Sequence, residues 1–185
     1  MKNTIVVNLF GGPGIAKSTT AAGVFSLLKM HDVDCEYVPE FAKDLVWEKR
    51  DQSLKNQIYI FSKQYHRMWR VNGQVDVIVT DSPLLFTLIY ANATDGKSFK
   101  KMAVEEFNSF NNLNFLLYRT KPYNPNGRYQ DEDQARNLDI TIEKMLIEQK
   151  QSYNTIAGDF SAPNVITKHV LDKFMIKTKY GFAAI

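Results

Sequence analysis

The residues best able to do chemistry lie close together near the start of the chain: Gly11-Gly12-Pro13-Gly14-Ile15-Ala16-Lys17-Ser18-Thr19. The glycines let successive backbone N–H groups turn toward one point, and a helix starting at the lysine adds its positive N-terminal end. Such a loop holds a polyphosphate, with Lys17 reaching the β- and γ-phosphates and the Ser18 hydroxyl ligating Mg²⁺. The expected nucleotide contacts are Gly12, Pro13, Gly14, Ile15, Ala16, Lys17, Ser18 and Thr19, with Arg119 from farther along the chain. One position departs from the G-x-x-x-x-G-K-[ST] pattern: Ala16 stands where the second glycine belongs. A methyl group is a small addition, so the loop keeps its shape provided that φ at residue 16 is not strongly positive.

Two carboxylates complete a candidate reaction centre. Asp81 ends the apolar run Val77-Ile78-Val79-Thr80, a Walker-B-like arrangement that would hold Mg²⁺ opposite Ser18. Asp-Ser-Pro is also a helix-entry sequence, so Asp81 has a second reading as a cap. Glu40, in Pro39-Glu40-Phe41, follows the second apolar segment. It reads as the base or orienter of an acceptor hydroxyl, or as a favourable charge at a helix N-terminus.

Acceptor contacts are sought on a helix over residues 53–71. Gln57, Gln64 and, less closely, Arg67 fall near one face, because seven residues is nearly two turns. The amides would read a base edge and the arginine an anion; a solvated polar face is the plain alternative. The stretch from Arg119 to Gln130 carries Pro122, Pro125 and Asn126-Gly127, which exclude regular structure. It reads as a lid near residues 119–136 that closes over the phosphates. Arg128 is its principal cation for the charge developed in transfer, with Arg119 and Arg136 behind it.

These residues need a scaffold that brings strand ends together. Strand cores are expected at residues 4–10, 35–38, 75–80, 114–118 and 164–167. Helical patterns are expected after the phosphate loop and over 41–48, 53–71, 84–90, 98–108, 132–153 and 169–174. Strands alternating with helices give an α/β fold: a parallel sheet of about five strands with helices on both faces, in three layers. Ligands then sit at the carboxyl ends of the strands. At 185 residues the chain is expected to form one domain over 1–185. A net charge of +3 suits anionic small molecules without demanding a nucleic-acid surface. One cysteine excludes an internal disulfide and fits a reducing cytoplasm, and no apolar run is of membrane-spanning length.

Taken in series, the phosphate loop, Tyr37-Val38-Pro39-Glu40-Phe41, Gln57 with Gln64 and Tyr65, Asp81-Ser82-Pro83 and the Lys121–Arg128 loop carry a family resemblance. Over nearly the whole chain the sequence resembles the small P-loop kinases related to the ribosylnicotinamide kinase domain of the NAD-salvage regulators. It is similar also to compact members of that group common in bacteriophage genomes, for which the compartment would be the host cytoplasm. The resemblance implies a P-loop NTPase fold, ATP with Mg²⁺, and a nucleoside- or nucleotide-type acceptor. Relatives that phosphorylate hydroxymethylated pyrimidines in DNA make DNA a second candidate substrate. A nucleotide-dependent switch or ATPase without a small acceptor is the reading from another class. A monomer or homodimer without a membrane partner is expected.

Overall fold

The computed structural model describes residues 2–92, 95–120 and 131–174. Its centre is a five-stranded sheet of β1 (Ile5–Phe10), β2 (Cys35–Val38), β3 (Val77–Thr80), β4 (Asn111–Tyr118) and β5 (Asn154–Ala157). The strand order is β2-β3-β1-β4-β5 and every pairing is parallel. The helices are α1 (Lys17–Met30), α2 (Phe41–Trp47), α3 (Asp51–Leu54), α4 (Gln57–Trp69), α5 (Phe86–Tyr90), α6 (Lys97–Asn108), α7 (Glu132–Glu148) and α8 (Ala162–Phe174).

Side-chain alternation divides the core into two layers. Ile5, Val7 and Leu9 of β1 point to one face with Val79 and Phe115, against Val24 and Leu28 of α1 and Ile166 and Val170 of α8. Val6 and Phe10 point to the other with Ile78 and Leu116, against Phe61 and Met68 of α4, Phe107 of α6, and Ile142 and Leu146 of α7. Every β1 residue is buried, as a central parallel strand covered on both faces requires. Full burial of each large apolar side chain contributes about 1.5–3 kcal/mol. The α/β three-layer reading therefore holds.

The register of β1 on β4 places Asn8 opposite Asn114, and the Asn8 amide donates to Asn114 Oδ1 at 3.0 Å and Asn112 Oδ1 at 2.9 Å. This polar rung lies inside the sheet and pins these two strands in one alignment.

Two expected elements are corrected. Residues 164–167 are helical, within α8, and the fifth strand is Asn154–Ala157. Val165 and Ile166 are β-branched, but burial repeats every four residues through Ala162, Ile166 and Val170, the period of a helix face. The true β5 is a short edge strand of which only Ile156 is buried, so it lacks a run of apolar residues. The helix expected over 53–71 is broken before α4, where the Asn56 side chain accepts the Tyr59 N–H at 3.0 Å as an N-cap.

Candidate active site

The carboxyl ends of β1, β2 and β3 converge, and each delivers one of the predicted residues. β1 runs into the glycine loop, where Gly11 has φ +139° and Gly14 φ +79°. A Cβ on Gly11 would lie 2.8 Å from Ile15 Cγ2. Ile15 itself is buried in the core and anchors the loop from beneath. Ala16 has φ 70° and ψ 24°, the left-handed region. The condition set on the sequence is thus not met, and the loop forms despite it. Alanine tolerates this conformation at a cost of roughly 1–2 kcal/mol. No side chain caps the start of α1 and its first turn carries no acid, so its N-terminal amides face the loop without an internal anion. Ser18 and Thr19, in that first turn, are exposed.

Lys17 folds back over the loop, donating from Nζ to Gly11 O at 2.7 Å and Gly12 O at 2.9 Å. Its ammonium lies 5.6 Å from the centre of the Phe86 ring. Desolvation lowers its pKa, and the charges of Glu40 and Asp81 push in the opposite direction.

Asp81 is 6% exposed at the end of β3. Its Oδ2 accepts the Tyr37 hydroxyl at 3.0 Å and its Oδ1 accepts the Glu40 backbone N–H at 3.2 Å. The following helix begins only at Phe86, so Asp81 caps no helix. Glu40 occupies the N-cap position of α2 but makes no side-chain cap bond. Burial raises the pKa of its carboxyl, with Lys17 acting against the rise. The capping alternative is therefore not realised for Asp81, whereas Glu40 does stand at the N-terminus of α2, where its charge is favourable without a cap hydrogen bond. Tyr37 escaped the sequence reading. No local sequence signal marks it: only the register of β2 on β3, which sets Tyr37 opposite Val79 two residues before Asp81, brings the two together.

Beside these groups lies a cavity of about 270 Å³, lined by Glu40, Gln57, Phe61, Gln64, Phe86 and Tyr90 among others. Phe86 is shared between this cavity and the Lys17 ammonium, which places it against the phosphate loop. No lysine or arginine lines it among the described residues. The Gln57 amide nitrogen is spent on Leu54 O at 3.2 Å, and its Oε1 has no hydrogen-bond partner among the described residues. Gln64 accepts the Phe41 N–H at 2.9 Å and thereby holds the turn that carries Glu40.

Arg67 is not brought into this cavity, a correction to its expected place at an acceptor anion. Its guanidinium is claimed by Asp44 and by Pro39 O at 3.3 Å, and it covers the Phe41 ring. Arg119, expected at the nucleotide, is bound to the loop itself. Its Nη2 donates to Pro13 O at 2.7 Å and its Nε to Asp139 Oδ2 at 2.6 Å. Arg136 pairs with Glu132 on the surface of α7. Arg128 and the rest of the expected lid, residues 121–130, lie outside the described residues.

A bound Mg²⁺ fits this donor set. Ser18 would supply a hydroxyl and Asp81 a carboxylate, while no cluster of three metal-ligating side chains is present among the described residues. Magnesium is commonly held by one or two carboxylates plus phosphates and water rather than by an all-protein cage.

Residues 6–162 match the family model described as an AAA domain. Among curated proteins, no sequence matches the chain. The crystal structure of the NadR protein in complex with NR superposes with a TM-score of 0.72 at 14% identity, over 98% of this chain and 54% of that one. The chain thus spans about half the length of that protein, and the likeness is one of fold. No helix among the described residues is long and apolar enough to cross a membrane.

Proposed function

The chain belongs to the AAA-domain family of P-loop proteins, and from that premise we propose that it is a kinase that transfers the γ-phosphate of ATP, with Mg²⁺, to the hydroxyl of a nucleoside-type acceptor. The observation that carries this reading is the cavity beside Lys17, with the half-buried Glu40 carboxylate in its wall and no lysine or arginine among its described lining residues. An apolar pocket with a few convergent polar groups and a perturbed titratable residue is the signature of a small-molecule site. A nucleoside, which brings no phosphate of its own, suits a wall that carries Glu40 and, among the described residues, no lysine or arginine. Among the described residues the cavity offers no cationic track of the kind a DNA strand requires.

In this reading the loop amides and the start of α1 bind the polyphosphate of the donor. Lys17 exchanges the carbonyls of Gly11 and Gly12 for the β- and γ-phosphates, and its charge matters most as negative charge spreads over the transferring group. Glu40 accepts the proton of the acceptor hydroxyl while its oxygen bonds to the γ-phosphorus and the bridging oxygen leaves with the nucleoside diphosphate. A carboxyl held above its ordinary range by burial is a better base than an exposed one. Ser18 and Asp81 would hold Mg²⁺, which when bound neutralises charge on the phosphates. The unpartnered Gln57 Oε1 would accept a donor of the acceptor's base. Arg128 is proposed to close over the phosphates from the segment 121–130.

The test is a screen with γ-labelled ATP against nucleosides, nucleoside monophosphates and hydroxymethylpyrimidine-containing DNA, with and without Mg²⁺. Metal-dependent label on a nucleoside hydroxyl is expected. Label confined to monophosphates or to DNA would move the acceptor to those classes. Hydrolysis insensitive to every acceptor would leave an ATPase or switch.

A further inference from the structure

The far side of the phosphate loop is held by a pair of charges that the reaction above does not use. Asp139, on α7, accepts the Gly12 backbone N–H on Oδ1 at 2.7 Å. Its Oδ2 receives Arg119 Nε at 2.6 Å, and Arg119 Nη2 lies 3.3 Å from Oδ1 and 2.7 Å from Pro13 O. The carboxylate and the guanidinium therefore grip two consecutive residues of the loop, Gly12 through its N–H and Pro13 through its C=O.

The fit leaves no space for variation. A Cβ on Gly12 would stand 2.5 Å from Asp139 Oδ1, 3.0 Å from Ala135 O and 3.1 Å from Arg119 Nη2. Gly12 is thus demanded by the approach of α7, independently of any phosphate. The Arg119 side chain is 8% exposed and that of Asp139 24%, so water competes weakly for either. A carboxylate beside a polyphosphate site is repulsive on its own. The forked arginine cancels its charge and lets the oxygens act as fixed acceptors.

We propose that Asp139 is a positioning residue of the phosphate loop: with Arg119 it locks Gly12 and Pro13 to α7, so that the following amides are already aimed when a polyphosphate arrives. The role rests on the proposed nucleotide site but makes a claim about the loop itself. Preorganised donors lose less on binding than donors that must first be ordered, and small misplacements of a binding loop are costly.

The experiment compares wild type with Asp139→Asn, which keeps an acceptor for Gly12 but loses the ionic pair, and Asp139→Ala, which loses both. Direct titration with MgATP and MgADP, well below each variant's melting temperature, is paired with hydrogen exchange of residues 11–18 without nucleotide. The expected result is affinity weakened at least about tenfold in Asp139→Ala, less in Asp139→Asn, with faster exchange confined to the loop. Lower melting temperatures with unchanged nucleotide affinity and unchanged loop exchange would reduce the pair to a plain structural bridge and overturn the proposal. A wild type that binds no nucleotide would sink the kinase reading, and the exchange arm would still decide whether Asp139 orders the loop.

Discussion

The two flanks of the phosphate loop use the same kinds of residue in opposite ways. On the β4 side, Arg119 and Asp139 meet at 2.6 Å and neutralise each other. On the β2–β3 side, Lys17 faces Glu40 and Asp81 without an ion pair, its hydrogen bonds going to loop carbonyls. The paired flank is a satisfied scaffold. The unpaired flank leaves its charges at odds with their surroundings: burial lowers the Lys17 pKa and raises that of Glu40. Groups held in this way are suited to a partner that arrives from outside, and they add little to the stability of the empty protein.

The sharpest way to break this contrast is Lys17→Ala. If Lys17 is an unspent charge, its loss should lower phosphotransfer by about a thousandfold or more, since it removes charge stabilisation in the transition state. The melting temperature should stay near that of wild type, because relief of the desolvated ammonium offsets the loss of its two hydrogen bonds to loop carbonyls and no ion pair is broken. A variant that unfolds would show Lys17 to be scaffold, and one with near-normal transfer would remove the P-loop role.

Glu40→Gln should show the same opposition in one residue. Transfer should fall by about a hundredfold, as expected for loss of a general base, with nucleotide affinity little changed. Stability should move the other way. The Glu40 carboxyl binds its proton more tightly folded than unfolded. Its favourable contribution is therefore full at low pH and lost as pH rises from the ordinary carboxyl range through the raised folded value. Above that window the variant should be the more stable protein, and the difference should vanish at acid pH. Urea titrations across about pH 4 to pH 8 would check it; a variant less stable at neutral pH would mean that Lys17 already outweighs the burial.

Much of the unpaired flank is legible in the sequence. Glycines, Lys17 and the strand-ending Asp81 announce themselves because their types and spacing are local. The paired flank is not: Gly12 and Asp139 are separated by 127 residues, and an aspartate in the middle of a helix carries no mark of what it will face. Arg119 was picked out for its charge but assigned to the ligand, since a sequence shows a cation and not its partner. Arg67 failed for the same reason, with Asp44 out of view. The misplaced fifth strand has another cause. Val165 and Ile166 favour a strand by propensity, and packing of α8 on α1, with a Cβ on Gly23 only 2.8 Å from Pro163 Cγ, overrode it.

Tyr37→Phe sharpens the contrast on a smaller scale. The phenol is the donor that steadies Asp81 Oδ2. Without it the carboxylate keeps the Glu40 N–H alone. The Mg²⁺ concentration giving half-maximal transfer should rise several-fold, while stability changes by about 1 kcal/mol, the net worth of one hydrogen bond. An unchanged metal response would place Asp81 in the scaffold with Asp139.

The smallest effect is expected where the two flanks meet, at Ala16. Its left-handed φ of 70° costs an L-residue roughly 1–2 kcal/mol, and a glycine there returns about 0.4–1 kcal/mol of that as unfolded-state entropy. Ala16→Gly should therefore stabilise by about 0.5 kcal/mol, a rise of about 1–2 °C in a chain of this size. A fall instead would mean that the methyl makes a contact worth more than the strain. The variant also tests whether the flanks communicate. If Asp139 and Arg119 hold the loop against the strain at residue 16, relieving the strain should matter more once the pair is cut. Ala16→Gly should then recover part of the nucleotide affinity lost in Asp139→Ala, so that the double variant binds more tightly than the two separate effects predict. Strict additivity would make the flanks independent, the paired one fixing Gly12 and Pro13 with no consequence for the turn into α1.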